Sequence, residues 1–245
     1  MSIKKHTIFL AVLFFATQLQ SQKITVAAAS SLRAPLEKIT TQFEKYHDIQ
    51  VDLIFGSSGK LVSQIQNGAP FDIFLSANEA FGKYLFENGL SDTEPFAFTK
   101  GYLGIWSRDE KVENVYAIAT NPLCENVAIA NPELAPYGKL ALEYLTDADL
   151  KNRVNKKMIL GINVSHLNQY IMNESVCIAI TAWSTKGQMG NVGYWKKLNE
   201  YYLLNTGTVI SDSENPREAN RFLQFLKSEN AQAIFRQFGY DPVIK

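Results

Sequence analysis

From residue 24 onward, short apolar runs alternate with segments whose apolar residues recur every three or four positions. Ile24–Ala28 is the first run. After it, Leu36, Ile39, Phe43 and Tyr46 keep to one face of a helix, with Pro35 in its first turn, where proline is tolerated. Val51–Phe55 alternates as a strand and leads into a helix carrying Leu61, Val62 and Ile65, which Asn67-Gly68 ends. Phe71–Leu75 predicts a buried strand, and Glu79–Glu87 a helix stopped by Asn88-Gly89. Strand-like runs return at Tyr102–Trp106, Val127–Ala130, Ile159–Ile162, Val176–Ile180 and Tyr201–Ile210. Helical spacing marks Leu140–Leu145, Leu150–Lys157, His166–Met172, Pro216–Lys227 and Ala231–Phe238. This rhythm predicts an α/β protein whose parallel sheet is covered by helices on both faces. No sequence repeat or low-complexity linker interrupts it.

The first segment reads differently. Lys4 and Lys5 precede the apolar run Ile8–Ala16, which is far shorter than the ~20 residues that span a bilayer. That is the build of a cleaved export signal, expected over residues 1–22. Of the chain's 24 basic residues, two leave with it, so 22 basic residues face 24 acidic ones. A near-neutral chain of 245 residues lacks the basic surplus that nucleic acid requires. With 46% hydrophobic residues it carries enough apolar side chains for a packed core, which excludes a disordered chain. Export also places Cys124 and Cys177 in an oxidising compartment. They bridge if the strands beside them are neighbours; otherwise they are buried thiols, and both readings stay open.

Catalytic chemistry is thinly supplied. His47 and His166 stand apart, and with two separated cysteines they form no metal-site spacing. Gly56-Ser57-Ser58-Gly59 fits neither the nucleophile elbow nor the P-loop. The strand ends are more informative. Ser30-Ser31, Ser57-Ser58, Ala135-Pro136-Tyr137-Gly138 and Asn163-Val164-Ser165 each lie between a strand and a helix start. In a parallel sheet such helix starts share the carboxyl edge, each with free N–H groups and a partial positive charge. Hydroxyls of Ser30, Ser31, Ser57, Ser58 and Tyr137 add donors. One such serine is ordinarily an N-cap; four similar loops suggest a neutral, donor-rich cage for an anion.

Lys23–Leu32 (KITVAAASSL), Gly56–Ala77 (GSSGKLVSQIQNGAPFDIFLSA), Ala130–Gly138 (ANPELAPYG) and Gly161–Ser165 together resemble blocks of the periplasmic molybdate-binding proteins, the solute receptors of ABC importers. The resemblance runs the length of the chain beyond the export segment. It implies a two-lobed periplasmic binding protein fold, each lobe a mainly parallel sheet flanked by helices, with the ligand cleft between the lobes. Lobe 1 is expected over 23–100, lobe 2 over 101–204, and a return segment, mostly in lobe 1, over 205–245. Site residues implied are Ser31, Ser58, Tyr137, the backbone N–H of Val164, and Ser30 beside them. One branch of the family places a tyrosine where this chain has Ala182. The implied function is capture of molybdate or tungstate, without catalysis, cofactor or cation site, and delivery to a membrane permease. The expected setting is a periplasmic monomer that binds no nucleic acid. Two other readings are weighed: the same scaffold tuned to another oxyanion such as sulfate, and a secreted hydrolase using Ser58, for which neither remaining histidine is an obvious base.

Overall fold

The apolar runs become strands and the periodic segments helices in the computed structural model, which describes residues 22–109 and 115–243. The export segment expected over residues 1–22 lies outside the described residues, except for Gln22. The chain runs β1 (Gln22–Ala29), α1 (Arg33–Tyr46), β2 (Ile49–Gly56), α2 (Ser58–Gln66), β3 (Ile73–Ser76), α3 (Glu79–Glu87) and β4 (Phe96–Ser107). It continues through α4 (Val115–Thr120), β5 (Val127–Ala130), α5 (Pro136–Asp147), α6 (Lys151–Val154), β6 (Met158–Gly161), α7 (Val164–Met172), β7 (Ile178–Ala182) and α8 (Lys186–Met189). It closes with β8 (Tyr194–Val209), α9 (Pro216–Leu226), α10 (Glu229–Gln237) and β9 (Asp241–Pro242).

The strands join in the order β2-β1-β3-β8-β4-β7-β5-β6, with β9 added beside β4. The two halves share one topology. In the first, β1 lies between parallel β2 and β3, and antiparallel β8 follows. In the second, β5 lies between parallel β6 and β7, and antiparallel β4 follows. The repeat is one of topology, carried by no repeated sequence. The parallel sheet expected from the βαβ rhythm is thus a mixed one, because β4 and β8 run against their neighbours in both halves. Their first and last residues sit in different halves. β8 pairs β3 at Thr206–Val209, whereas β4 pairs β7 at Leu103–Ser107. Register shifts between Ala97 and Thr99, and between Tyr102 and Leu103, flank the crossing.

The inner strands are buried without alternation: Ile24, Val26, Ala27 and Ala28 of β1, and Ala128, Ile129 and Ala130 of β5, have no exposed surface. α1 turns Leu36, Ile39 and Phe43 onto the first half. α9 and α10 return there, with Phe222 meeting Phe43 edge-on at 5.0 Å. A fully buried aromatic of this kind contributes on the order of 3 kcal/mol. In the second half Cys124 and Cys177 are disulfide-bonded, with Cα atoms 5.4 Å apart. The bridge is possible because β5 and β7 are paired neighbours, Val127 opposite Ile178.

Candidate functional site

The pairing pattern points the carboxyl ends of β1, β2 and β3 toward those of β5 and β6. Ser30 and Ser31 leave β1 in a 3-10 turn, Ser30–Leu32. Ser58 opens α2, Tyr137 is the second residue of α5, and Val164 opens α7. All five residues singled out in the sequence line one cavity, with Ala29, Gly56, Ser57, Ala77, Ala135 and Pro136 completing its walls. The free space between them is about 10 Å³, on the scale of one water-sized group and far short of the ~300–1,000 Å³ of sites for organic ligands.

The serines are not helix caps. No side chain caps the 3-10 turn, α1, α2 or α5. Elsewhere the chain caps in the ordinary way, as when Asn163 accepts from His166 N or Ser228 from Ala231 N. The oxygens of Ser31, Ser57 and Tyr137 are buried without a hydrogen-bond partner among the described residues. Such groups are costly unless something pairs them, at about 1–3 kcal/mol each. Ser58 Oγ accepts from the Ala77 N–H at 3.2 Å, which fixes the oxygen and leaves the proton to donate elsewhere. The helix starts at Ser58, Pro136 and Val164 add main-chain N–H groups that have no intrahelical acceptor. Pro136 brings no N–H of its own, and the N–H groups of Gly138 and Lys139 already donate to the Ala135 carbonyl, so α5 contributes through Tyr137.

No Asp, Glu, Lys, Arg or His lines the cavity. Its one ionisable group, Tyr137, is buried, and burial, with Tyr240 beside it, holds its phenol well above the ordinary tyrosine value. The phenol therefore remains a neutral donor. Arg33, next along the chain from the β1 turn, faces away, with its guanidinium 4.1 Å from the Phe55 ring centre and paired to Glu37. Position 138 is held to glycine by packing: a Cβ there would lie 2.7 Å from the Ala130 carbonyl carbon, so α5 could not seat on the end of β5. Among the described residues, no three His, Cys, Asp or Glu side chains gather as a cation site. Ser58 has no base beside it among the cavity residues.

Two contacts close the cavity from opposite sides. Gly59 N–H donates to the Leu134 carbonyl at 2.9 Å, joining the first half to the second. Ser184 Oγ donates to the Ser31 carbonyl at 3.1 Å. Tyr240 Oη reaches the same carbonyl at 2.7 Å. Ser184, Tyr240 and Gly101, which lies against both Tyr137 and Tyr240, carry no signal in the sequence, because nothing local marks a residue that acts across 153 or 209 positions. Ala182, where one family branch has tyrosine, is the buried last residue of β7.

A larger groove, about 420 Å³, lies by the amino end of β1, between Lys23, Thr25, Phe71, Asp72 and the 210–215 segment. Its buried carboxylate is already used: Asp72 accepts from Thr25 N at 2.7 Å and Ser213 Oγ at 2.6 Å, joining β1 to the loop before α9. Of the two, the smaller cavity is the better candidate, because it combines converging strand ends with unpaired buried donors.

Residues 24–241 match the family model described as bacterial extracellular solute-binding protein. The chain is 26% identical over 246 residues to the molybdate-binding protein ModA of Azotobacter vinelandii, covering 98% of each chain. The solved structure of the Azotobacter vinelandii periplasmic molybdate-binding protein superposes with a TM-score of 0.82 at 24% identity, over 91% of this chain and 99% of that one. The sulfate-binding protein SubI of Mycobacterium tuberculosis superposes with a TM-score of 0.76 at 17% identity, over 91% of this chain and 87% of that one. The fold is thus the two-lobed one of periplasmic binding proteins, and the chain belongs to the bacterial extracellular solute-binding proteins.

Proposed function

We propose that this chain is a periplasmic receptor that captures molybdate, and tungstate with it, and hands the anion to the permease of an ABC importer without transforming it. The observation that carries this reading is the set of buried, unpaired hydroxyls of Ser31, Ser57 and Tyr137 around a small cavity that contains no charged side chain. Ser58, Ser30 and the N–H of Val164 complete the donor set. A fully deprotonated oxyanion is all acceptor, so it satisfies every one of these donors. Hydrogen bonds to a charged acceptor are each worth roughly 1.5–3 kcal/mol. The name of the molybdate-binding relative supports the choice of ion. We assign lobe 1 to residues 23–100 with the return segment 205–245, lobe 2 to 101–204, and the export signal to 1–22, on a monomeric receptor.

Sulfate is the second reading, favoured by the shared fold of a sulfate-binding protein. Fold alone does not choose between these ions, because both are all-acceptor. Size does: sulfate oxygens lie closer to their centre, so fixed donors stand further from them. Monohydrogen phosphate adds an O–H, and a cavity without a carboxylate offers it no strong acceptor.

Isothermal titration of the mature protein with molybdate, tungstate, sulfate and phosphate tests the proposal. One-to-one binding of molybdate and tungstate is expected, tighter than sulfate, with phosphate weakest. At about 1,000 times the dissociation constant, ligand should stabilise the fold by ~4 kcal/mol. No heat and no rise in melting temperature with molybdate or tungstate would refute it.

A further inference from the structure

We infer that Tyr240 and Ser184 are positioning residues that set the ligand-binding turn at Ser31 and lock it when the lobes close; this rests on the oxyanion-receptor reading of the cavity. Both side chains converge on one atom, the Ser31 carbonyl oxygen. Tyr240 Oη lies 2.7 Å from it and Ser184 Oγ 3.1 Å, and the two hydroxyls are 3.1 Å apart. Each hydroxyl has one proton and both protons go to the carbonyl, so the two hydroxyls touch without a hydrogen bond between them. Ser31, Ser184 and Tyr240 are all buried, at 2%, 3% and 1% exposure, so water does not substitute for these bonds.

The three residues come from different parts of the fold. Ser31 belongs to the turn after β1, and Ser184 follows β7 in the other half. Tyr240 follows α10, which packs on α1. It is seated before the lobes meet: Phe235 of α10 stacks edge-on against its ring at 5.7 Å, and β9 next to it pairs β4 at Thr99 and Lys100. Tyr240 therefore holds the back of the turn from within the first half. Ser184 reaches it only when the second half is docked. With the carbonyl fixed from behind, the Ser31 side chain, whose oxygen has no partner among the described residues, is left to face the cavity. The division of labour follows: Tyr240 orients the donor, and Ser184 keeps the closed form closed.

Tyr240→Phe and Ser184→Ala each remove one oxygen and leave the packing nearly intact. Molybdate association and dissociation rates would be followed by intrinsic fluorescence in the parent, both variants, each combined with Ser31→Ala, and Tyr84→Phe as an exposed control. Each single variant should lose about ten-fold in affinity, the worth of one hydrogen bond. For Ser184→Ala the loss should lie in dissociation, with association within about two-fold of the parent, because its bond exists only after closure. In the Ser31→Ala background, Tyr240→Phe should cost less than two- to three-fold, because the carbonyl that it holds remains but the hydroxyl donor that it orients is gone. A residue that merely supports the fold would cost the same in both backgrounds, and that result overturns the inference, as does parent-like binding of both single variants. If Tyr240→Phe does not fold, the Ser184→Ala rates decide: faster dissociation with association near that of the parent supports the inference, and an unchanged dissociation rate overturns it. If the parent binds none of molybdate, tungstate and sulfate, the receptor reading fails. Small-angle scattering of the ligand-free proteins then judges the inter-lobe contact: a larger radius of gyration in Ser184→Ala supports it, and an unchanged one overturns it.

Discussion

At the scale of single residues, Ser31 and Ser58 look alike in sequence but do different work. Both lie in the first helical turn after a strand, both are buried, and both line the cavity. Ser31 Oγ has no partner among the described residues, whereas Ser58 Oγ accepts from Ala77 N. Replacing either with alanine removes a donor to an anion, which should cost roughly 1.5–3 kcal/mol, or about ten- to a hundred-fold in affinity. Only Ser58→Ala also strands a buried N–H, at about 1–3 kcal/mol of stability. Titration calorimetry with molybdate should therefore show both variants weakened, and thermal melts without ligand should show only Ser58→Ala lowered. Parent-like affinity in both, or equal melting temperatures, would contradict this assignment. The four loops were readable because each lies where an apolar run meets a helix start, and that juncture is local; the choice of Ser30, Ser31, Ser58, Tyr137 and Val164 within them came from the family resemblance. Whether a serine there caps or stays free was not readable. The answer depends on the partner atoms that the other strand ends bring within reach.

At the scale of elements, most helices were legible, and the two crossing strands only in part, at Tyr102–Trp106 and Tyr201–Ile210. Amphipathic spacing locates α1, α3 and α9 to within a residue or two, because one face of each is buried and the other wet. β4 and β8 lack a comparable signature. β4 begins at Phe96, six residues before its apolar run, and the first half of β8, from Tyr194, is an exposed edge with mixed polarity. Pairing between these two strands stabilises stretches whose own pattern is ambiguous. At their crossing lies Gly101. A Cβ there would collide with the Tyr137 hydroxyl and come within 2.8 Å of Tyr240 Cε1. Gly101 thus lets a cavity residue of the second half and a buried ring of the C-terminal segment pack against the same strand. Gly101→Ala should destabilise the protein by about 1–3 kcal/mol, the usual cost of overpacking. Adding Tyr137→Phe deletes the colliding oxygen and should return part of that loss in urea unfolding, even though Tyr137→Phe alone weakens molybdate binding. A Gly101→Ala protein as stable as the parent would show that the crossing has slack.

At the scale of the whole molecule, two halves of one topology place their carboxyl ends face to face, so one cavity collects donors from four loops. The disulfide supports the second half; in the chain-entropy account, a bridge across 53 residues restricts the unfolded chain by ~4 kcal/mol. A neutral cavity inside a nearly neutral protein also predicts how pH acts. Tyr137 and Tyr240 are both buried, and burial raises both phenols. Tyrosines in the unfolded chain release their protons near pH ~10. The folded chain keeps these two protons above that pH, so it then holds more protons than the unfolded chain. By linkage, stability falls as pH rises. The contribution is complete below about pH 10, and above it each phenol takes away about 1.4 kcal/mol per pH unit until its folded-state value is reached. Between about pH 6 and 8 Tyr137 stays protonated, so molybdate affinity should be flat there. Urea unfolding of the parent at successive pH values from 8 to 11 should show stability dropping past about pH 10. The Tyr137→Phe/Tyr240→Phe double variant, though weaker at neutral pH, should drop less steeply, because it has lost two of the raised phenols whose protons distinguish the states, leaving Tyr102, Tyr144 and Tyr201. Equal slopes in the two proteins would mean that these phenols are not kept neutral by the fold, and the case for Tyr137 as a fixed donor would go with them.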